Sequence, residues 1–311
     1  MKFPVQVKIN SKIVVMQAIV LAAGFGTRLR PYTNLRPKPL FPVANQMLLH
    51  RLLDQLAACE CWPVVVNAHY LPEQIEAALD GYPNVELQVE PEILGTGGAL
   101  RKALDSMNNE PILVMNGDLY HEINPEWVYH RHLLSKNDVT MALHDYPRFN
   151  TVQVGGDRVL GFAEAAQTNC LAFTGIHVVD PEVLERIAVG TFHHIIDLYQ
   201  ELAREDRIGY CRTDSAFWYD IGTPVDYLQL HGRLLEPVGD WEIASTAQVA
   251  PDAHLSGWGC IGENAAIGAG AVLHNCVVWS GAQVPKGAMA EGAIITGDTA
   301  VDSQLQDEDI A

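Results

Sequence analysis

Near the amino end, Leu21-Ala22-Ala23-Gly24-Phe25-Gly26-Thr27-Arg28 is followed by Arg36-Pro37-Lys38-Pro39-Leu40, the residue types of a phosphate cradle. Glycines let backbone N–H groups approach a ligand closely, and Arg28 and Lys38 add fixed positive charge for phosphate oxygens. A dinucleotide fingerprint would need a third glycine where Leu29 stands, with Pro31 just beyond, and a P-loop would need Gly-Lys-Ser/Thr to close the run. Two carboxylates complete the set: Asp118 in Asn116-Gly117-Asp118 and Asp220 in Trp218-Tyr219-Asp220-Ile221-Gly222-Thr223-Pro224. Each alone reads as a turn or helix-cap residue. Beside a phosphate cradle, two carboxylates distant in sequence suit a hard divalent cation on a phosphorylated ligand.

The elements that must position these groups follow from the hydrophobic pattern. Ala18-Ile19-Val20-Leu21-Ala22, Val64-Val65-Val66-Asn67, Val85 to Val89 and Pro111 to Met115 read as buried strands. Between them Leu48, Leu49, Leu52, Leu53 and Leu56 predict an amphipathic helix over 46–58, and Pro72 opens a second helix with Ile75 and Leu79 on one face. Alternating strands and helices predict an α/β fold with a Rossmann-like, doubly wound, mostly parallel sheet, whose ligands sit beyond the carboxyl ends of the strands. The run from Asp138 to Asp145 and the pair Thr151–Val154 and Arg158–Phe162 across Gly155-Gly156 predict further strands forming a lid or wall over the pocket. A last helix runs from Pro224 to about Leu235.

The loop with its basic tail resembles the signature of the sugar-1-phosphate nucleotidylyltransferases, the NDP-sugar pyrophosphorylases. The resemblance extends from Gln17 to about Leu235 through five motifs in the family's order, and implies the nucleotide-diphospho-sugar transferase type of fold. It implies that Leu21, Ala22, Ala23, Gly24, Gly26, Thr27 and Arg28 wrap a nucleoside triphosphate, with Gly117 beside them, and that Lys38 holds the reacting groups. Glu90-Pro91-Glu92-Ile93-Leu94-Gly95-Thr96-Gly97-Gly98 resembles the base-recognition segment, placing Glu90, Glu92, Gly95 and Thr96 at the nucleobase. A carboxylate accepts both N1–H and N2–H of guanine, whereas uracil is better matched by an amide, which tilts the reading to GTP over UTP. Asp118 and Asp220 fall at the family's Mg²⁺ ligands. Asn150, Glu164, Thr174 and Gly175 fall at its sugar-phosphate site. Arg28, Lys38, Asp118 and Asp220 are thus the expected catalytic set. The pattern breaks at Ala165 and Ala166, where Lys and Pro are usual, and Arg148 is a candidate replacement for the missing cation. The implied reaction joins an NTP to a sugar 1-phosphate. A non-catalytic, nucleotide-binding scaffold relative is the alternative.

From Ile243 the composition changes. Ile243, Val249, Leu255, Ile261, Ile267 and Leu273 recur every six residues, slip by one to Val278 and resume at Val284. This hexapeptide rhythm predicts a short left-handed parallel β-helix over 243–296, an assembly module for a homo-oligomer, with the slip marking a bulge or loop. His254 and His274 raise the question of an acyltransferase site, but no long acceptor loop accompanies them. The expected organisation is an N-terminal extension over 1–15, a catalytic domain over 16–236, the β-helix, and an acidic tail over 297–311 that frays from about Asp302.

Composition bounds the class. In 311 residues, 48% hydrophobic content fills a sizeable core, and a formal charge of −18 argues against nucleic acid as a partner. No apolar run is long enough for a membrane span and the amino end lacks a signal peptide, so a cytoplasmic protein is expected. Six cysteines lack metal-ligand spacing apart from the pair Cys59 and Cys61, for which no nearby pattern offers two further ligands, and they read as reduced thiols. His121, His130, His132, His193 and His194 show no convergent ligand pattern.

Overall fold

A computed structural model describes residues 7–9, 12–237, 239 and 241–297. The segment from Asp302 lies outside the described residues. The chain divides into two compact units, one of residues 1–25, 37–39 and 49–218, the other of residues 26–36, 40–48 and 219–311.

The first unit is a nine-stranded sheet with helices. In chain order its strands are β1 (Gln17–Leu21), β2 (Val64–Ala68), β3 (Val85–Val89), β4 (Ile112–Asn116), β5 (Val139–His144), β6 (Asn150–Gly155), β7 (Arg158–Phe162), β8 (Cys170–Val179) and β9 (Ile208–Arg212). The spatial order is β5-β9-β7-β6-β8-β4-β1-β2-β3. β3, β2, β1 and β4 are parallel neighbours, as alternation with helices α1 (Leu48–Ala58), α2 (Pro72–Ala78) and α3 (Gly95–Ala103) requires. β8 runs antiparallel to β4, and β6 and β7 form a hairpin. β5 pairs with both β9 and β8, so β5 to β9 close a circuit.

This corrects two expectations. The sheet is mixed, because the chain from Asn150 to Val179 returns by short connections that permit only antiparallel pairing. The strands expected as a lid continue the same sheet, since β8 is long enough to pair with β4, β5 and β6.

The core lies between the sheet and its helices, which also include α4 (Pro125–Leu133) and α5 (Ile195–Arg204), and there Ile19, Val65, Leu100, Val114, Met141, Leu198 and Tyr199 are buried together. The five leucines of α1 are all buried, as their spacing predicts. Ahead of the sheet Val7–Ile9 pairs antiparallel with Lys12–Val14, so part of the N-terminal extension is a hairpin.

The second unit is built on α6 (Pro224–Leu235) and a run of short parallel strands. Each residue pairs with one 18 and later 17 positions on: Ile243 with Ile261, Ile261 with Val278, Val278 with Ile295. Val249, Ile267 and Val284 form a second column, and Leu255, Leu273 and Ala290 a third. The one-residue slip in the rhythm is a bulge: two residues, Gly257 and Trp258, oppose the single Asn275, whose Oδ1 accepts the Trp258 N–H at 3.1 Å.

Candidate active site

In the first unit the cradle begins at the carboxyl end of β1, which lies between two parallel strands. The Gly117 N–H donates to the Leu21 carbonyl at 2.8 Å, and a Cβ at Gly117 would stand 2.9 Å from that oxygen. Only glycine lets the loop after β4 lie this close on β1. The contact fixes Asp118 next in the chain. Its Oδ2 accepts from the Lys38 ammonium at 2.8 Å, with Lys38 only 5% exposed and Asp118 42%. A buried ammonium needs such a partner, and the carboxylate keeps a face to solvent.

The glycine loop is held from behind. Asn67, at the end of β2, accepts the Ala22 N–H at 2.6 Å and donates to Glu90 Oε1 at 2.8 Å. Glu90 Oε2 accepts the Leu94 N–H at 3.0 Å, and Gln88 reaches Oε1 at 3.4 Å. Glu90 is 1% exposed. Both of its oxygens and the Ala22 N–H thus have hydrogen-bond partners inside the protein. A buried carboxylate is tolerable here because N–H donors surround it. Glu92 is exposed, as are Gly24 and Thr27, and Ala23 is buried.

The glycines of the base segment serve close packing. Gly95 has φ +67°, and a Cβ there would come within 2.7 Å of the His193 carbonyl. That carbonyl accepts the Gly97 N–H at 2.8 Å. The Thr96 hydroxyl accepts the Ile195 N–H at 3.0 Å and so caps α5 (Ile195–Arg204) from outside it. The sequence carried no signal that the segment at His193 would meet these glycines, because a contact across about 95 residues leaves no local pattern.

Of the residues expected at the sugar phosphate, Thr174 is buried, donating to the Ala142 carbonyl at 2.8 Å, and Gly175 at φ +74° leaves room for Asn116. Asn150 donates to Asp145 Oδ1 at 2.8 Å and accepts the Tyr146 N–H at 2.9 Å. Asp145 and Asn150 line a cavity of about 760 Å³ with Ala166, Gln167 and Arg212. Arg148, the candidate cation, instead lies over the Phe149 ring at 5.0 Å. Arg212 was not singled out by sequence, where it is one arginine among many. Its Nε donates to Asp214 at 2.6 Å. Glu164 is exposed on the loop after β7.

The second unit brings Arg28 and Asp220 to one point. Gly26, in the left-handed region at φ +59°, turns the chain into a short 3-10 turn, Thr27–Leu29, with Arg28 exposed. A Cβ on Gly222 would meet Arg28 Nη1 at 2.9 Å, Asp220 Oδ2 at 2.9 Å and Asp226 Oδ2 at 3.2 Å. The three charged groups thus gather over a position that only glycine leaves open. The cap of α6 is Thr223, whose hydroxyl accepts the Asp226 N–H at 3.1 Å and donates to Asp226 Oδ2 at 2.8 Å. Asp220 is not that cap.

Among the described residues no group of three or more His, Cys, Asp or Glu forms a ready cage for a metal. No helix of the described residues is long and apolar enough to cross a membrane.

Residues 17–236 match the family model described as nucleotidyl transferase. The chain is 30% identical to a mannose-1-phosphate guanylyltransferase of Mycobacterium tuberculosis, over 89% of this chain and 83% of the relative. It is also 30% identical to an N-acetylmuramate alpha-1-phosphate uridylyltransferase of Caulobacter vibrioides, over 70% of this chain and 97% of the relative. Among solved structures, HddC from Yersinia pseudotuberculosis complexed with GMP-PN superposes with a TM-score of 0.60 at 22% identity, over 71% of this chain and all of that one, a likeness of fold. The strand-end loop carrying Asp118, the ion pair with Lys38 and a family match over most of the chain agree: it belongs to the nucleotidyl transferase family, the sugar-1-phosphate nucleotidylyltransferases whose motifs it carries.

Proposed function

We propose that the protein transfers a nucleotidyl group from an NTP, GTP in preference to UTP, to a sugar 1-phosphate, forming an NDP-sugar and pyrophosphate. The observation that carries this reading is the Lys38–Asp118 pair on a loop clamped to the end of β1. A sugar phosphate oxygen attacks the α-phosphorus in line, the bond to the bridging oxygen breaks, and pyrophosphate leaves with its electron pair. The phosphate dianion is already nucleophilic near neutral pH, so no protein base is needed and catalysis is positioning and charge neutralisation. Arg28 draws on the leaving pyrophosphate and Lys38 steadies the reacting phosphates. Asp118 and Asp220 would hold Mg²⁺, which when bound neutralises triphosphate charge. The cavity at Asn150 takes the acceptor, with Arg212 as the cation in place of the missing lysine. With Glu90 turned inward, Glu92 is the carboxylate left for guanine, and the relatives divide between guanylyl and uridylyl transfer.

The stacked C-terminal columns support a left-handed parallel β-helix that assembles copies of the chain. The reading places the enzyme in the cytoplasm, where NTPs are made, and its six cysteines are free thiols. Pyrophosphate release, measured for four NTPs against a panel of sugar 1-phosphates, tests the activity. Asp118→Ala and Asp220→Ala should each abolish Mg²⁺-dependent release while melting cooperatively. Full activity in both would remove the metal assignment, and no turnover with any pair would favour a binding scaffold.

A further inference from the structure

Residues 26–36 and 40–48 group with the C-terminal strands, whereas residues 37–39, with Lys38 between two prolines, group with the sheet. Arg36 and Leu40, on either side of the Pro37–Pro39 segment, thus fall in the unit of the C-terminal strands. The contacts there centre on Trp279, in the turn after the strand Val272–Val278 and 1% exposed. The Arg36 guanidinium lies over its ring, 4.4 Å from the centroid, and Phe41 meets it edge-on at 4.9 Å. Its indole N–H donates to the Tyr227 hydroxyl at 3.1 Å, and that hydroxyl donates to the Pro42 carbonyl. Beyond Pro42 the Ala44 N–H donates to His231 at 3.2 Å, and the Asn45 amide donates to the Glu242 and Ile261 carbonyls at 2.9 and 3.1 Å. One ring thus holds the residue two before Lys38 and the residue three after it.

We propose that Trp279 is a positioning residue for Lys38, through which the C-terminal strands set the path of the Pro37–Pro39 segment. The inference rests on Lys38 serving the transfer reaction, and extends it: the C-terminal strands act on catalysis besides any part in assembly. A stacked guanidinium and an edge-on ring restrict both ends of a six-residue span whose prolines already limit its backbone. The same module offers an internal control. Among the described residues Trp258 packs on α6 at Gly232 and stacks with His231 at 6.4 Å, without a ring contact to Arg36 or Phe41.

The test compares Trp279→Leu, Trp279→Phe and Trp258→Leu in the full chain by two readouts. One is the rate of Lys38 acetylation by an N-hydroxysuccinimide ester at pH 8, resolved by mass spectrometry. The other is kcat and KM for pyrophosphate release. In Trp279→Leu, Lys38 acetylation should rise about tenfold or more and kcat fall about tenfold, with the KM for NTP within about threefold; Trp279→Phe should recover most of both, and Trp258→Leu neither change. An acetylation rate in Trp279→Leu within about twofold of wild type, or equal effects of the two leucine variants, overturns the proposal. Should Trp279→Leu not fold, Arg36→Met carries the same expectation. Labelling needs no turnover, so a wild type inactive with every substrate pair would defeat the functional reading while the acetylation arm still decides this one.

Discussion

Glu90 and Glu92 show how one residue type takes opposite roles two positions apart. Both stand where a carboxylate could read guanine, and sequence spacing has no means to choose between them. Glu90 is withdrawn because β3 delivers it among N–H donors of Asn67, Gln88 and Leu94, which together satisfy a charge that burial would otherwise forbid. Glu92, two residues on, faces solvent. The expected outcome is that Glu92→Gln narrows the GTP-over-UTP ratio of kcat/KM by about tenfold with an unchanged melting temperature. Glu90→Gln should instead lower stability by about 1–3 kcal/mol, since the new amide N–H meets donors in place of acceptors. Denaturant titration beside the substrate ratio separates the two. A loss of base preference confined to Glu90→Gln would return Glu90 to the base.

Strand ends and turns do the placing. The physical demand on Gly117 and Gly222 is space. Gly117 admits the β1 carbonyl and Gly222 admits Arg28 and Asp220. Gly117→Ala should therefore push Asp118 outward, reducing kcat about tenfold or more, because the obstructing atom is backbone and cannot rotate away. At Gly222 the obstructing atoms are ends of longer side chains, so Gly222→Ala should raise the KM for NTP more than it reduces folding stability. Steady-state kinetics with thermal melts check both. Thr223→Ala should cost about 1 kcal/mol through loss of the α6 cap, measurable as a lower denaturation midpoint.

For the molecule as a whole, two buried histidines predict its acid behaviour. Burial holds His177 down to about 3 and His121 to about 4, and neither ring nitrogen of His177 has a hydrogen-bond partner among the described residues. Both stay neutral in the folded protein where the unfolded chain, at about 6.5, binds a proton. The unfolded state thus takes up more protons as the pH falls, so stability is lost downward from about 6.5 until the folded values are reached. His177 alone should cost about 2 kcal/mol at pH 5 relative to pH 7.5. Urea titrations at the two pH values check this, and His177→Leu should flatten the slope; an unchanged slope would remove the assignment.

The sequence by itself determined the strands of the parallel half, the leucine face of α1, the columns of the C-terminal strands, and the family. Those features rest on local periodicity or on contiguous motifs, which a single chain displays in full. Only the tertiary structure decided that the sheet is mixed, that Glu90 and the Ala22 N–H are spent internally, that Thr96 caps α5, and that Trp279 holds Arg36 and Phe41. Each of these depends on partners tens to hundreds of residues away, and a hydrogen bond or ring contact across such a gap is set by how the chain returns, which no spacing within a motif records.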